Sequence, residues 1–221
     1  MHNSVDNLIA IQKEIQLKIS ENKRLNKLPE IIAVSKTFMM ENIIPLINHG
    51  HLHFGENKIQ EAIEKWQNIK SDFNHINLHM IGKLQTNKVK YAVSLFDYIH
   101  SLDNFKLAEK IHSEQQKQNK KIKIFIQVNI GDEDQKNGIL ISDAEAFYKK
   151  CIKYLDLDIV GFMCIPPNDD NVFLNFSKMR DLIFQTGLKE LSMGMSNDYL
   201  EALQFESTFL RIGSKIFGKR S

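Results

Sequence analysis

The chain has 221 residues and a mass of 25.7 kDa, with 43% hydrophobic and 25% charged residues, a balance that supports a buried core and excludes disorder and collagen. Its 29 basic and 27 acidic residues leave a net charge of +2, so no strong field draws it to nucleic acid or to an acidic membrane. Two cysteines, Cys151 and Cys164, are too few for a disulfide framework and match no zinc spacing; with no signal-like or membrane-spanning apolar run, a cytoplasmic location is expected.

Val5, Leu8, Ile9, Ile15 and Ile19 fall at helical spacing, with Lys13, Glu14 and Lys18 on other faces, and predict an amphipathic helix over 4–24. A different rhythm follows. IIAVSK (31–36) is a β-branched run after Pro29, and the helical stretch 41–50 behind it closes on Gly50. The pair recurs as HLHFGEN with 58–70, NLHMIG with 85–96, YIHSLD with 104–119, KIFIQVNI with 142–154, DIVGFMCIPP with 171–186 and KELSMGMS with 198–205, and TFLRIGSKIFG closes the chain. The densest basic run, Lys117 to Lys123, has no aromatic residue to stack on a base and reads as a solvated loop. Apolar strands separated by helices imply parallel pairing, because each return to the same end needs a crossover. Eight such units predict an α/β fold, a single-domain (β/α)8 TIM barrel over 1–221 with an extra N-terminal helix in residues 1–27. An open doubly wound sheet is the rival, but its glycine fingerprint is absent and no linker divides the chain.

Barrels of this kind place their chemistry at the carboxyl ends of the strands. Those positions hold Lys36, Glu56 and Asn57, Gly82, Ser101, Asn129 and Gly131, Met163, Met195 and Ser196, and Arg211 with Gly213. Alternation turns Lys36 inward with Val34 and Ile32, and Ser35 and Ala33 toward the helices. Burial favours the neutral amine, the form that adds to a carbonyl to give a Schiff base; the alternative is a rim lysine bent to solvent. In the last strand, read over 207–218, Arg211 faces inward with Phe209. Main-chain N–H groups near Gly213, with hydroxyls from Ser196, Ser207 or Thr208, suit a phosphate. The alternative is an ordinary strand end whose arginine pairs with a carboxylate such as Glu56. His51 and His53 share a strand face with no third ligand at metal spacing, so no metal is expected. His79 reads as a hydrogen-bonded barrel histidine, and Cys164, Met193 and Met195 read as packing. Neither a nucleophile elbow nor a P-loop is present.

A lysine ending the first strand and a phosphate-shaped last strand resemble the fold-type III pyridoxal-phosphate proteins, the alanine racemase group. The strings IIAVSKTF, FGENKIQE, HMIGKLQTNK, SLDN, QVNIGDEDQKNG, GFMCIPP, LSMGMSNDYLEAL and STFLRIGSKIFG, in that order, resemble the YggS/PROSC family, the pyridoxal phosphate homeostasis proteins. The resemblance implies pyridoxal 5'-phosphate as cofactor, carried on Lys36 as an internal aldimine. It implies that Asn57 and Ser196 line the pocket, that Arg211 approaches the pyridine nitrogen, and that the backbone at Gly213, with Ser207 and Thr208, receives the phosphate. It further implies a carrier or buffer in vitamin B6 and amino-acid homeostasis without substantial turnover, monomeric or weakly dimeric, with cofactor-requiring apoenzymes as partners. A pyridoxal-phosphate amino-acid racemase, or an aldolase using Lys36 alone, is the alternative. Two positions depart from the family pattern: Glu206 stands where glycine is usual and sets a carboxylate beside Ser207 and Thr208, and Lys83 replaces proline or a small residue, adding a positive charge near the mouth.

Overall fold

The computed structural model describes residues 3–22, 27–133, 137–167 and 171–218. The chain opens with α1 (Ser4–Glu21); positions 23–24 of the expected helix and 134–136 of the QVNIGDEDQKNG string lie outside the described residues. Eight barrel strands follow: β1 (Glu30–Val34), β2 (His53–Glu56), β3 (Asn77–Met80), β4 (Tyr98–Leu102), β5 (Lys123–Asn129), β6 (Asp158–Cys164), β7 (Glu190–Ser192) and β8 (Phe209–Ile212). All pair in parallel in the order β4-β3-β2-β1-β8-β7-β6-β5, and β4 pairs with β5 to close the barrel. A two-residue strand, Ile139–Leu140, adds to the side of β5. Between the strands run α2 (Met40–Asn48), α3 (Ile59–Trp66), a 3-10 turn (Thr86–Lys88) leading into α4 (Val89–Leu95), α5 (Phe105–Gln118), α6 (Ile141–Tyr154), α7 (Val172–Thr186) and α8 (Tyr199–Leu203). The chain closes through α9 (Ser214–Phe217).

Strands buried on both faces need apolar residues at nearly every position, and Ile31 to Val34 are all buried. Their side chains divide between two cores. Ile32, Tyr98, Phe125, Met163 and Phe209 fill the barrel, while Ile31, Ala33, Leu210 and Ile212 join the layer between barrel and helices. The inward parity expected for Ile32 and Phe209 therefore holds. Leu8, Ile11 and Ile15 of α1, spaced three and four apart, enter the same outer layer. No helix among the described residues is long and apolar enough to cross a membrane.

Three local expectations are corrected. The last strand stops at Ile212 instead of running to 218, because the N–H groups of Ile216 and Phe217 donate to Gly213 O and close a helical turn. Met163 points into the barrel core and not into its mouth. The basic run is a solvated loop only in part: residues 119–122 connect the two elements, but Lys117 lies in the last turn of α5, Lys123 begins β5, and Lys120 Nζ donates to Ser94 O and Phe96 O at 3.1 and 2.9 Å.

Candidate functional site

Lys36 lies two residues beyond the end of β1, in a turn whose next residue, Thr37, has φ 69°. Left-handed backbone at a threonine is strained, so something must hold this turn. The clamp stands behind it. Ser35 N donates to Gly55 O, and Ser35 Oγ donates to Glu56 Oε1 at 2.7 Å. Lys65 Nζ donates to Ser35 O at 2.9 Å and contacts Glu56 Oε1 at 2.7 Å and Glu61 Oε1 at 2.9 Å, while Glu61 accepts from Thr37 N. Trp66 Nε1 adds a third bond to Glu56 Oε1 at 3.0 Å. Glu56 is fully buried, and burial raises its carboxyl above the ordinary glutamate range against the pull of Lys65, Trp66 and Ser35. It therefore works in the strand–helix layer and is not the partner of Arg211.

Arg211, on the inward face of β8, is 4% exposed. Its Nη1 donates to Ser192 O and Oγ at 2.6 and 2.7 Å, and Nη2 donates to Cys164 O at 2.7 Å. Burial lowers its ordinary value, yet a guanidinium with three good acceptors remains charged. Ser196 follows β7, and its Oγ accepts from Lys215 N at 3.3 Å, which ties that loop to the first turn of α9.

Lys36, Asn57, Gly82, Ser196, Arg211 and Gly213 line one cleft of about 690 Å³ at the carboxyl ends of the strands. Asn57 Oδ1 is buried there with no hydrogen-bond partner among the described residues, an acceptor open to a donor. Gly82 is required: a Cβ on it would stand 2.2 Å from Asn57 O. Val34 lines the cleft as its inward parity implied; sequence reasoning missed Phe38, Pro166, Pro167 and Asp198 on the cleft wall. Asp198 Oδ1 accepts from Met195 N at 2.6 Å, and burial raises its carboxyl. Only the loop after β7 brings it there, and no spacing signal marks it.

Other expected residues lie elsewhere. Ser207 and Thr208 precede β8 and so sit at the opposite end of the barrel, in a second cleft with Lys27, Leu28 and Glu206. Ser207 Oγ donates to Met193 O at 2.7 Å, and Thr208 Oγ1 accepts from Leu191 N at 2.8 Å. The structure does not bring these hydroxyls to Lys36, and Glu206 stands with them outside the Lys36 cleft. Lys83 is exposed and outside the cleft wall. Ser101 Oγ is buried, and Asn129 bonds the Glu133 backbone. His79 is a hydrogen-bonded barrel histidine, 2.9 Å from both His53 and His100. No group of three or more His, Cys, Asp or Glu residues is placed to hold a metal among the described residues. The Cys164 thiol is buried, which pushes it up to about 12.

Residues 13–221 match the family described as alanine racemase, N-terminal domain. The chain is 34% identical to the pyridoxal phosphate homeostasis protein of Pasteurella multocida, across 97% of this chain and 96% of that protein. It is similar to the structure of PipY from Synechococcus elongatus PCC7942 with PLP bound, with 31% identity, a TM-score of 0.78, and coverage of 92% of this chain and all of that one. Alanine racemase from Clostridium difficile, 14% identical with a TM-score of 0.72 and 56% covered, shares the barrel fold alone. A full-length match at this identity, on a closed parallel barrel with Lys36 and Arg211 facing one cleft, places the chain in the alanine racemase N-terminal domain family and, within it, among the YggS/PROSC pyridoxal phosphate homeostasis proteins.

Proposed function

We propose that the chain binds pyridoxal 5'-phosphate in this cleft through Lys36 and acts as a carrier or buffer of the cofactor, without substantial turnover. One observation carries the reading: an amine, a buried guanidinium, a hydroxyl, glycine-flanked main chain and an orphaned amide oxygen converge on a single cleft. That donor set fits an anionic, aldehyde-bearing aromatic ligand. The PLP-bound neighbour and the relative named for pyridoxal phosphate homeostasis support it. The cofactor, when bound, supplies an aldehyde and an electron-withdrawing ring.

Lys36 supplies the amine, held on its turn by the Ser35–Glu56–Lys65 clamp. Ser196 and the main chain at Gly213 take the phosphate, and Asn57 Oδ1 accepts from a ligand donor. Arg211 spends three bonds on Ser192 and Cys164 and offers its remaining N–H groups to the ring. A guanidinium donates and does not accept, so the ring nitrogen beside it stays unprotonated and the ring is a weaker electron sink. That favours storage over racemisation or transamination.

Borohydride treatment of the loaded protein should fix the cofactor to the peptide carrying Lys36, and Lys36→Ala should lose the visible band. Label on another lysine would defeat the reading. Efficient α-proton exchange from L-alanine, dependent on Lys36, would replace the carrier role with a racemase.

A further inference from the structure

A continuous chain of side-chain hydrogen bonds runs through the barrel and ends on Arg211. His53 Nδ1 lies 2.9 Å from His79 Nε2, His79 Nδ1 lies 2.9 Å from His100 Nε2, and His100 Nδ1 lies 3.0 Å from Ser192 Oγ. Ser192 Oγ in turn accepts from Arg211 Nη1 at 2.7 Å. At the far end His53 Nε2 stands 3.6 Å from Glu30 Oε2, whose side chain is 57% exposed at the floor of the barrel. Six residues from six strands thus join the floor to the cleft at the mouth. His79 stacks on Tyr98 with ring centroids 4.2 Å apart, and His100 stacks on Phe125 at 4.3 Å, so neither ring is free to turn.

The direction of the chain follows from its head. Arg211 has donors only, so Ser192 Oγ must accept from it. The Ser192 oxygen could accept a second bond, but its own proton has no acceptor other than His100 Nδ1 among the described residues, so the order that satisfies it has Ser192 Oγ donating to His100 Nδ1 and leaves the His100 proton on Nε2. That proton points at His79 Nδ1, so His79 also carries its proton on Nε2 and donates to His53 Nδ1. His53 Nε2–H is left for Glu30. In this order both Nδ1 atoms accept, so a further proton on either would set two donors face to face and each ring is neutral; burial, which lowers both well below the ordinary histidine value, acts in the same sense.

We propose that Ser192, His100 and His79 are positioning residues for Arg211, a one-directional relay that fixes its guanidinium toward the cofactor ring and couples it to the His53–Glu30 floor. The proposal rests on the cofactor reading above for the ring, but the order of the relay does not.

The two are therefore tested separately. In the full chain labelled with ¹⁵N-histidine and free of cofactor, long-range ¹H–¹⁵N spectra should show His79 and His100 as Nε2–H tautomers; an Nδ1–H or doubly protonated ring at either position overturns the relay. In the protein loaded with pyridoxal phosphate, Ser192→Ala should shift the visible band and weaken binding by about tenfold, the scale of one charge-assisted hydrogen bond. Ser192→Thr, which keeps the hydroxyl, should restore both, and His100→Phe, which keeps the stacking on Phe125, should act like Ser192→Ala. Band and affinity unchanged in Ser192→Ala would overturn the positioning role. Should His100→Phe fail to fold, the wild-type tautomers and Ser192→Ala still decide. A chain that takes up no pyridoxal phosphate defeats the cofactor reading alone.

Discussion

Lys65 is the residue on which the Lys36 turn depends. Its ammonium faces two carboxylates and two main-chain oxygens, and one of those carboxylates, Glu56, has no exposure to water. Removing the cation leaves a buried charge paired only with Trp66 and Ser35. Lys65→Met should therefore lower the unfolding free energy by about 3–5 kcal/mol in chemical denaturation, as breaking one side of a buried pair does. A loss below about 1 kcal/mol, the scale of an exposed pair, would show that the clamp is not electrostatic. Glu56 also shows how far one residue's sequence context reaches. Its place at a strand tip is legible, but its direction, behind the barrel wall, is set by Lys65 and Trp66 nine and ten residues on in α3.

At the scale of elements, the connection after β3 and the turn after β2 touch through a glycine. A methyl at Gly82 would stand 2.2 Å from Asn57 O and 2.8 Å from Asn57 Cα, both backbone atoms that must move. Gly82→Ala should destabilise the fold by about 1–3 kcal/mol, the usual cost of overpacking, and weaken pyridoxal phosphate binding because it displaces Asn57. Gly187, the C-cap of α7, is the control: φ is +71° but a Cβ would meet nothing within 4 Å. Gly187→Ala should cost about 1 kcal/mol from backbone strain and leave binding unchanged, measured by denaturation and by cofactor titration on the same samples. Equal binding by both variants would remove the close approach at Gly82 from the architecture of the cleft.

For the molecule as a whole, the buried histidines set the response to acid. Burial lowers His51, to about 4, as well as His53, His79 and His100. Glu30 and Asp97 pull His53 upward and Lys123 pushes it down, without reversing the shift. The unfolded chain takes up a proton on each ring near pH 6.5, while the fold holds the rings neutral. The unfolded state thus binds more protons, and stability, full above about pH 6.5, is lost as pH falls by up to about 1.4 kcal/mol per unit for each histidine. Glu56 and Asp198, raised by burial, act in the opposite sense, but they are two groups against four. Unfolding free energy should fall from pH 7 to pH 5, and the slope should be shallower in the double variant His79→Phe with His100→Phe. A flat profile over that window would mean that the rings are already charged in the fold.

The sequence by itself determined the barrel, its strand order in the chain and the inward faces of β1 and β8, because strand length, helix period and side-chain alternation are properties of short segments. Lys36, Asn57, Ser196, Arg211 and Gly213 were legible for the same reason: each ends or follows a strand, and parallel strands share one carboxyl end. Height along the barrel axis is not a local property. Ser207 and Thr208 belong to the right string, yet β8 begins only at Phe209, so both hydroxyls fall on the floor, far from the residues they were grouped with. The relay was equally hidden. Its links span 26, 21, 92 and 19 residues; His53, His79 and His100 sit on the neighbouring strands β2, β3 and β4, but His100 meets Ser192 only because barrel closure brings β4 round to face β7. Tertiary structure alone decided that contact, since a hydrogen bond needs two atoms at one place and the chain's local pattern says only which way each side chain turns.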